Sequence, residues 1–171
     1  MSGPKPSRRA GWKTALVVDP DLEQRKRVIR LLRQAAGEPP EAEPPQADPA
    51  TIDPPESGEQ RLAIHEAEDG SAAWALVEVV KPDLLVAEIL LEGLSGLQLL
   101  RRLRDKFGKQ APVVFFVTEM SNEVDRYWAL RNGAGAYVIK PYDDEFLRKR
   151  CAKLFEEGDE GGLDLDGWPI P

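Results

Sequence analysis

The sequence predicts an α/β domain in which a five-stranded parallel sheet carries helices on both faces. Two observations support this prediction. Five short apolar runs, rich in β-branched residues, have the length and composition of buried strands. They alternate strictly with five stretches whose apolar residues recur at helical spacing, and right-handed crossovers then make the strands parallel. A chain of 171 residues has room for one such domain together with tails or an insert.

The first strand and the first helix lie in residues 14–37. Thr14–Val18 is a short apolar run that predicts a buried strand. An Asp-Pro-Asp turn follows at residues 19–21, where Asp suits the cap of a helix and Pro suits its first turn. Apolar residues then recur at helical spacing from Leu22, and Gly37 ends the helix.

Residues 38–60 interrupt the alternation. They contain seven prolines and seven acidic residues, with no base and almost nothing to bury. Such a composition predicts a flexible acidic loop that is partly extended by its Pro pairs. Residues 38–60 are therefore predicted to form an inserted loop within one domain.

The remaining elements follow in regular order. The predicted strands are 62–66, 83–87, 112–117 and 136–139, and the predicted helices are 70–80, 95–106, 122–132 and 143–157. In parallel sheets ligands bind beyond the carboxyl ends of the strands. The residues that follow the strands are therefore the candidates for a site: Asp19, Glu88, Thr118 and Lys140.

Charge is concentrated in the appendages of the predicted domain, which spans residues 13–157. Residues 1–12 form a basic tail, and residues 158–171 form an acidic tail with four carboxylates and no base. The body between them has no clustered basic face, so we expect no nucleic-acid binding. One group of bases on the first helix is expected to form a solvated face: Arg25, Lys26, Arg27, Arg30 and Arg33.

Cysteine content and hydropathy favour a cytoplasmic protein. Cys151 is the single cysteine, so the chain has no internal disulfide, and a reducing compartment is the simple interpretation. No apolar run follows the basic residues of the N-terminus. The longest apolar run, at 84–91, is interrupted by Glu88 and is too short to span a bilayer.

Five stretches, in order along the chain, resemble the receiver domain of two-component response regulators. LVVD ends the first strand, and EAEDGSAAWALVEVVKPDLLV covers the second helix and third strand. GLSGLQLLRRLR opens the third helix, PVVFFVTE is the fourth strand, and ALRNGAGAYVIKPY closes the set. The resemblance covers about residues 13–157 outside the insert. It implies a flavodoxin-like fold with strand order 2-1-3-4-5.

The resemblance also implies a phosphorylation site. In the family an acidic pair after the first strand holds magnesium, and an Asp after the third strand takes the phosphoryl group. A Thr or Ser and a Lys contact that group. This sequence keeps Asp19, Thr118 and Lys140, but it has Pro20 in place of the second acid and Glu88 in place of the phosphoacceptor. Pro has no side-chain oxygen for magnesium, and the longer Glu displaces the nucleophile.

These departures predict a degenerate receiver with no catalytic residue, metal or cofactor, which signals by binding other proteins without phosphorylation. Lys140 is then expected to pair with Glu88 as a structural ion pair, while Asp19 caps the first helix. A sharper interpretation is that Glu88 reaches towards Thr118 and Lys140 and mimics the phosphorylated state permanently.

Three aromatic residues are candidates for the interaction surface. Tyr137 aligns with the aromatic that, in the family, swings inward on activation and remodels the face of the fourth helix, fifth strand and fifth helix. Tyr127 and Trp128 lie on the fourth helix, and adjacent helical positions are about 100° apart, so one of them should be exposed. The expected partners are signalling proteins, and self-association through this face is one form.

Two alternatives involve phosphate chemistry. The site could remain phosphorylatable within a phosphorelay despite Glu88 and Pro20. The chain could also be a small phosphatase of the haloacid-dehalogenase type, because Asp19 and Asp21 follow an apolar strand. The pair Asp143-Asp144 follows Lys140 too closely for that fold, which needs another strand between them.

Overall fold

The computed structural model describes residues 14–38 and 62–157. The predicted tails at 1–12 and 158–171, and the insert beyond Glu38, lie outside the described residues. The strands are β1 (Thr14–Val18), β2 (Ala63–Ala67), β3 (Leu84–Ala87), β4 (Val113–Thr118) and β5 (Ala136–Ile139). The helices are α1 (Leu22–Ala35), α2 (Gly70–Val80), α3 (Gly96–Phe107), α4 (Glu123–Arg131) and α5 (Asp144–Glu157), with a 3-10 turn at Gly108–Gln110. Across the described residues no helix is both long and apolar enough to cross a membrane.

The strands form one parallel sheet in the order β2-β1-β3-β4-β5. This confirms the predicted parallel sheet and the strand order that the family resemblance implied. The connection from β2 to β3 passes β1, so the strand order reverses there and leaves a crevice at the carboxyl ends of β1 and β3. Val18 is in register with Ala87, and their successors Asp19 and Glu88 therefore lie side by side.

The sheet is buried on both faces because alternate strand residues point to opposite helix layers. One layer contains α2, α3 and α4, and the strand residues that pack in it include Leu16, Val18, Leu85, Ala87 and Phe116. The other contains α1 and α5, with Ala15, Val17, Leu84, Val86 and Phe115 from the strands. The near-continuous apolar runs of the sequence reflect this two-sided burial.

Local capping fixes where α1 and α3 begin. Asp21 is the N-cap of α1, and its carboxylate accepts the backbone N–H groups of Glu23 and Gln24. The expectation that Asp19 caps this helix is therefore wrong, because the helix begins two residues later. At α3 a methyl group added to Gly96 would lie 2.7 Å from the carbonyl oxygen of Glu88. Only glycine lets this helix start against the end of β3.

The ends of the insert meet at Glu38, the first residue of the predicted 38–60 loop. One carboxylate oxygen of Glu38 accepts the backbone N–H of Leu62 at 2.8 Å. The other accepts a guanidinium N–H of Arg33 at 2.9 Å. A polar contact thus joins the end of α1 to the start of β2, as expected for an insertion that leaves and re-enters the fold at one place.

The bases of α1 do not form the uniformly solvated face that their spacing predicted. Arg25 is only 6% exposed. Arg27 donates to Asp144 of α5 at 2.5 Å, and its guanidinium lies 4.3 Å from the ring centre of Tyr142. The prediction was wrong for these two residues because α1 packs between the edge strand β2 and α5, and both supply acceptors.

Candidate functional site

Four residues converge at the carboxyl edge of the sheet. Asp19 follows β1, Glu88 follows β3, Thr118 ends β4 and Lys140 follows β5. Asp19, Glu88 and Thr118 are 6%, 4% and 0% exposed. The parallel topology brings together the four residues that the sequence singled out.

Lys140 lies between the two acidic side chains. Its Nζ donates to Asp19 Oδ2 at 2.8 Å and to Glu88 Oε2 at 2.9 Å. All three side chains are largely buried, with side-chain exposures of 11%, 8% and 5% for Lys140, Asp19 and Glu88. The expected ion pair of Lys140 with Glu88 is therefore present, and it extends to Asp19.

The second oxygen of Glu88 is also fully engaged. Oε1 accepts the hydroxyl of Thr118 and the backbone N–H groups of Ile89, at 2.7 Å, and Leu90, at 3.1 Å. Both carboxylate oxygens of Glu88 are thus held by donors from three segments of the chain. Such a carboxylate is fixed in place and its charge is dispersed over several hydrogen bonds.

Asp19 is held in a similar way. Its Oδ1 accepts the backbone N–H of Asp21 at 2.8 Å, and its Oδ2 accepts from Lys140. Pro20 lies exposed beside it and offers no side-chain oxygen. The segment between β1 and α1 therefore contributes one carboxylate to the site, and both of its oxygens are already bonded.

Arg25 is a site residue that the sequence did not reveal. Its guanidinium donates to the backbone carbonyl of Asp19 at 2.7 Å and to Glu66 Oε1 at 3.1 Å. It fastens the turn after β1 to the edge strand β2. The sequence does not distinguish Arg25 from the other bases of α1, since only the pairing of β1 with β2 brings Glu66 to it.

The ionic state of the site follows from these contacts. Burial raises the pKa of Glu88, but hydrogen bonds from Thr118 and Lys140 outweigh it, so the pKa lies below its ordinary value. Burial lowers the pKa of Lys140, but the hydrogen bonds that its ammonium donates to Asp19 and Glu88 reverse the effect and raise the pKa above its ordinary value. Glu88 is therefore ionised and Lys140 protonated at neutral pH.

A chain of hydrogen bonds runs from the site to Tyr137. The Thr118 hydroxyl accepts the backbone N–H of Met120 at 3.1 Å, and the carbonyl of Met120 accepts the hydroxyl of Tyr137 at 2.8 Å. Tyr137 is 1% exposed and packs edge-on against Phe116, with 6.1 Å between ring centres. Burial raises the pKa of Tyr137 to about 12. Tyr137 is thus in the inward position and connected to Glu88 through Thr118.

The two aromatics of α4 have different surroundings. Tyr127 is 63% exposed, and its hydroxyl accepts from Arg131 at 3.2 Å. Trp128 is half-buried and packs against the core between the sheet and helices α2 to α4. Val124, one turn before Trp128, is 72% exposed. Val124 and Tyr127 therefore form the apolar surface of α4.

The residues of the site do not fit the magnesium ion that the family resemblance implied. Magnesium requires several oxygen ligands in near-ideal geometry. Here the oxygens of Asp19 and Glu88 already accept protein donors, the ammonium of Lys140 lies between them, and Pro20 supplies no oxygen. Among residues 14–38 and 62–157, no group of three or more His, Cys, Asp or Glu could hold a metal ion.

The fold and the edge-of-sheet site define a receiver-type signalling domain. A family model, the response regulator receiver domain, matches residues 56–152. This is more than half of the chain, and the chain belongs to that family.

Curated relatives include Protein PilH of Pseudomonas aeruginosa, which is 38% identical over 84 residues, or 49% of this chain and 69% of PilH. The transcriptional regulatory protein TrcR of Mycobacterium tuberculosis is 35% identical over 115 residues, or 61% of this chain and 44% of TrcR. The chain thus spans less than half the length of TrcR. The CheY-like receiver domain of Methanospirillum hungatei superposes with a TM-score of 0.64 at 18% identity, covering 89% of this chain and all of that domain. This last likeness concerns the fold alone.

Proposed function

We propose that this receiver domain signals by binding other proteins in one fixed state, without phosphorylation. The observation that carries the proposal is the position of Lys140, whose ammonium bridges Asp19 and Glu88 at 2.8 and 2.9 Å. In the family that the chain resembles, the corresponding carboxylates serve a metal ion and a phosphoryl group. Here they neutralise an internal cation.

The engagement of Glu88 supports the absence of phosphoryl transfer. A nucleophilic carboxylate needs a free oxygen aligned with the phosphorus at near-attack distance. Both oxygens of Glu88 are bonded, and the side chain is one methylene longer than Asp. To react, Glu88 would have to give up the contact with Lys140 or those with Thr118 and two backbone N–H groups.

The electrostatics of the site oppose magnesium binding. A divalent cation at this place would lie beside the ammonium of Lys140, and the repulsion between them is strong in a buried site. In the family a second acid offsets that repulsion, whereas Pro20 contributes no charge. The cluster at this site therefore has a structural role. It binds no metal or cofactor and has no enzyme activity.

The proposed fixed state resembles the phosphorylated one. The resemblance to receivers associates activation with a Thr that contacts the phosphoryl group and an aromatic that turns inward. The hydroxyl of Thr118 donates to Glu88, and Tyr137 is buried with its hydroxyl on the carbonyl of Met120. These contacts support the interpretation that Glu88 stands in for the phosphorylated residue.

The face of α4, β5 and α5 is the proposed output surface. Val124 and Tyr127 give it exposed apolar area, and buried aromatic anchors carry much of the energy of protein interfaces. Tyr137 and the 118–120 segment fix its shape from below. A cytoplasmic signalling protein, or a second copy of this chain, is the proposed partner.

The acidic residues that the phosphatase alternative would require, Asp143 and Asp144, make other contacts. Asp143 accepts the backbone N–H of Phe146 at 3.0 Å at the start of α5. Asp144 pairs with Arg27 at 2.5 Å and tethers α5 to α1. Neither residue is directed to the cluster of Asp19, Glu88 and Lys140, so no acid pair supports hydrolysis there.

A test of the fixed state uses magnesium with beryllofluoride, which together imitate a bound phosphoryl group. Amide NMR spectra of the parent should not change at Thr118, Tyr137 or Lys140. The double variant Pro20→Asp/Glu88→Asp, which restores the family pattern, should show saturable changes at these residues. Saturable changes in the parent would mean that the site still responds to phosphoryl ligands, and the phosphorylatable alternative would then be correct.

A further inference from the structure

A second surface feature lies at the opposite edge of the sheet from Lys140. Where α2 and α3 end, a groove of about 200 Å³ is lined by Val77, Lys81, Pro82, Phe107, Gln110 and Pro112. Four of the six lining residues are apolar. An apolar cavity of about 150 Å³ is large enough for benzene in another protein, so this groove can accept one large apolar side chain.

Aromatic and basic side chains extend the groove along α2 and α3. The rings of Trp74 and Phe107 are 6.5 Å apart between centres. Arg102 and Lys106 place their cationic groups 5.7 and 5.4 Å from the ring centre of Trp74. Lys106 also pairs with Glu78. Lys81 lies at the end of α2, and these four charged residues, three bases and one acid, together carry a net charge of +2.

A segment with acidic residues and large apolar side chains would complement both the positive charge and the apolar groove of this surface. Residues 158–171 have this composition, with four acids and no base, and acids alternate with large apolar residues in the run Leu163-Asp164-Leu165-Asp166 before Trp168. The other acidic segment, 39–61, offers only Ile52 as a large apolar side chain. Both segments are acidic and would complement the basic surface. The apolar groove favours residues 158–171, because this segment contains Trp168.

The position of α5 allows this segment to reach the groove. Each helix of a parallel α/β sheet returns the chain to the amino edge, so Glu157 ends α5 at the same edge as Lys81 and Gln110. The eleven residues from Glu157 to Trp168 span up to roughly 36–40 Å when extended. A domain of this size has a radius of gyration of only about 14 Å.

We propose that residues 158–171 dock in cis on the α2–α3 groove, with Trp168 against Phe107 and Trp74 and with Asp164 and Asp166 beside Lys81 and Lys106. An intramolecular ligand on a linker this short has an effective concentration in the millimolar range, so a contact of modest intrinsic affinity is populated. The docked segment covers the α2–α3 surface and leaves the face of α4, β5 and α5 open.

Zero-length carbodiimide cross-linking of the full chain at low micromolar concentration tests this inference. Mass spectrometry should find, in the monomer, links that join Lys81 or Lys106 to Asp164 or Asp166. Trp168→Ala removes the anchor but none of the linked groups, and it should lower the yield roughly tenfold, equivalent to about 1.4 kcal/mol. Trp12→Ala, the matched change in the other tail, should leave the yield unchanged.

A variant in the groove, together with the identity of the lysines that are cross-linked, distinguishes docking in cis from the other possible results. Trp74→Leu keeps the lysines and an apolar side chain, and it should lower the yield while circular dichroism and thermal unfolding remain close to those of the parent. Links from Asp164 or Asp166 mainly to Lys26 on the other helix layer, or an equal yield in Trp168→Ala, would overturn the inference. Links found only in cross-linked dimers would assign the groove to the tail of a second copy and would also overturn docking in cis.

Discussion

Lys140 supplies one positive charge to two buried carboxylates. The cluster is stable because the remaining charge is dispersed over backbone N–H groups and the Thr118 hydroxyl, which donate to Glu88 and Asp19. These donors come from the turn after β1, the segment after β3 and the end of β4. The ion cluster therefore holds four strand ends together as well as closing the site.

Removing the ammonium should destabilise the fold strongly. In Lys140→Met, Asp19 and Glu88 face each other without a cation, and an uncompensated buried charge costs about 3–5 kcal/mol. Urea unfolding at pH 7 measures this loss of free energy. The control Lys26→Met removes an exposed lysine of α1 and should change stability by less than about 0.5 kcal/mol. Equal, small effects in the two variants would show that the cluster contributes little.

The pH dependence of stability should report the same cluster. Glu88 has a folded pKa below its ordinary 4.5, so its contribution is present above that value and is lost as pH falls through the folded pKa. Lys140 has a folded pKa above 10.5, so its contribution is full below that value and is lost as pH rises through the folded pKa.

Unfolding of the parent and Glu88→Gln should be compared across pH. The difference in their free energies of unfolding should be constant between about pH 5 and 10 and should shrink towards acid pH. A difference that grows as the pH falls below 4.5 would mean that the pKa of Glu88 is not lowered in the folded protein.

At the scale of helices and strands, the sequence predicted nearly every boundary to within one residue. Periodicity and capping residues such as Ser95 and Asn122 are local signals, and both residues cap helices as their types suggest. The roles of Arg25 and Glu38 were not predictable. Their partners, Glu66 and Leu62, are remote in sequence and become neighbours only when β2 joins the sheet.

The insert should be dispensable for the fold. Replacing residues 40–60 by a short Gly-Ser linker should change the melting temperature by less than about 5 °C, equivalent to roughly 1 kcal/mol, because loop-closure entropy varies slowly with length and Glu38 still joins the ends. Differential scanning calorimetry of both chains provides the measurement. Glu38→Gln in the shortened chain tests whether that contact holds the junction. A larger drop from excision alone would reveal extensive contacts made by the insert.

At the scale of the whole molecule, the site is connected to the proposed output surface by the hydrogen bonds from Thr118 through Met120 to Tyr137. The topology that gathers Asp19, Glu88, Thr118 and Lys140 was predictable, because parallel strands end at one edge. The bridging position of Lys140 was only partly predictable, since its contact with Asp19 depends on the conformation of the turns. Which aromatic of α4 is exposed also required the structure, because periodicity alone does not distinguish Tyr127 from Trp128.

Binding through α4 should depend on Tyr127. Tyr127→Ala removes an exposed aromatic side chain. It should weaken the binding of an identified partner by roughly 2 kcal/mol, about thirtyfold in affinity, as measured by calorimetry. Trp128 was also a candidate from the sequence, but Trp128→Ala removes core packing, so a loss of binding in this variant is interpreted only beside a parallel unfolding measurement. Val79→Ala, which truncates another exposed apolar side chain on α2, is the control. If Tyr127→Ala and Val124→Ala bind like the parent, the interface lies elsewhere.

Intact-mass spectrometry after incubation with acetyl phosphate and magnesium tests the central proposal most directly. The parent should remain unmodified because Glu88 is held by Lys140, Thr118 and two backbone N–H groups, while Pro20 offers no metal ligand. The double variant Pro20→Asp/Glu88→Asp should gain one phosphoryl group under the same conditions. An adduct of one phosphoryl group on the parent, absent from Glu88→Gln, would show that the site still performs phosphoryl transfer and would contradict a phosphorylation-independent receiver.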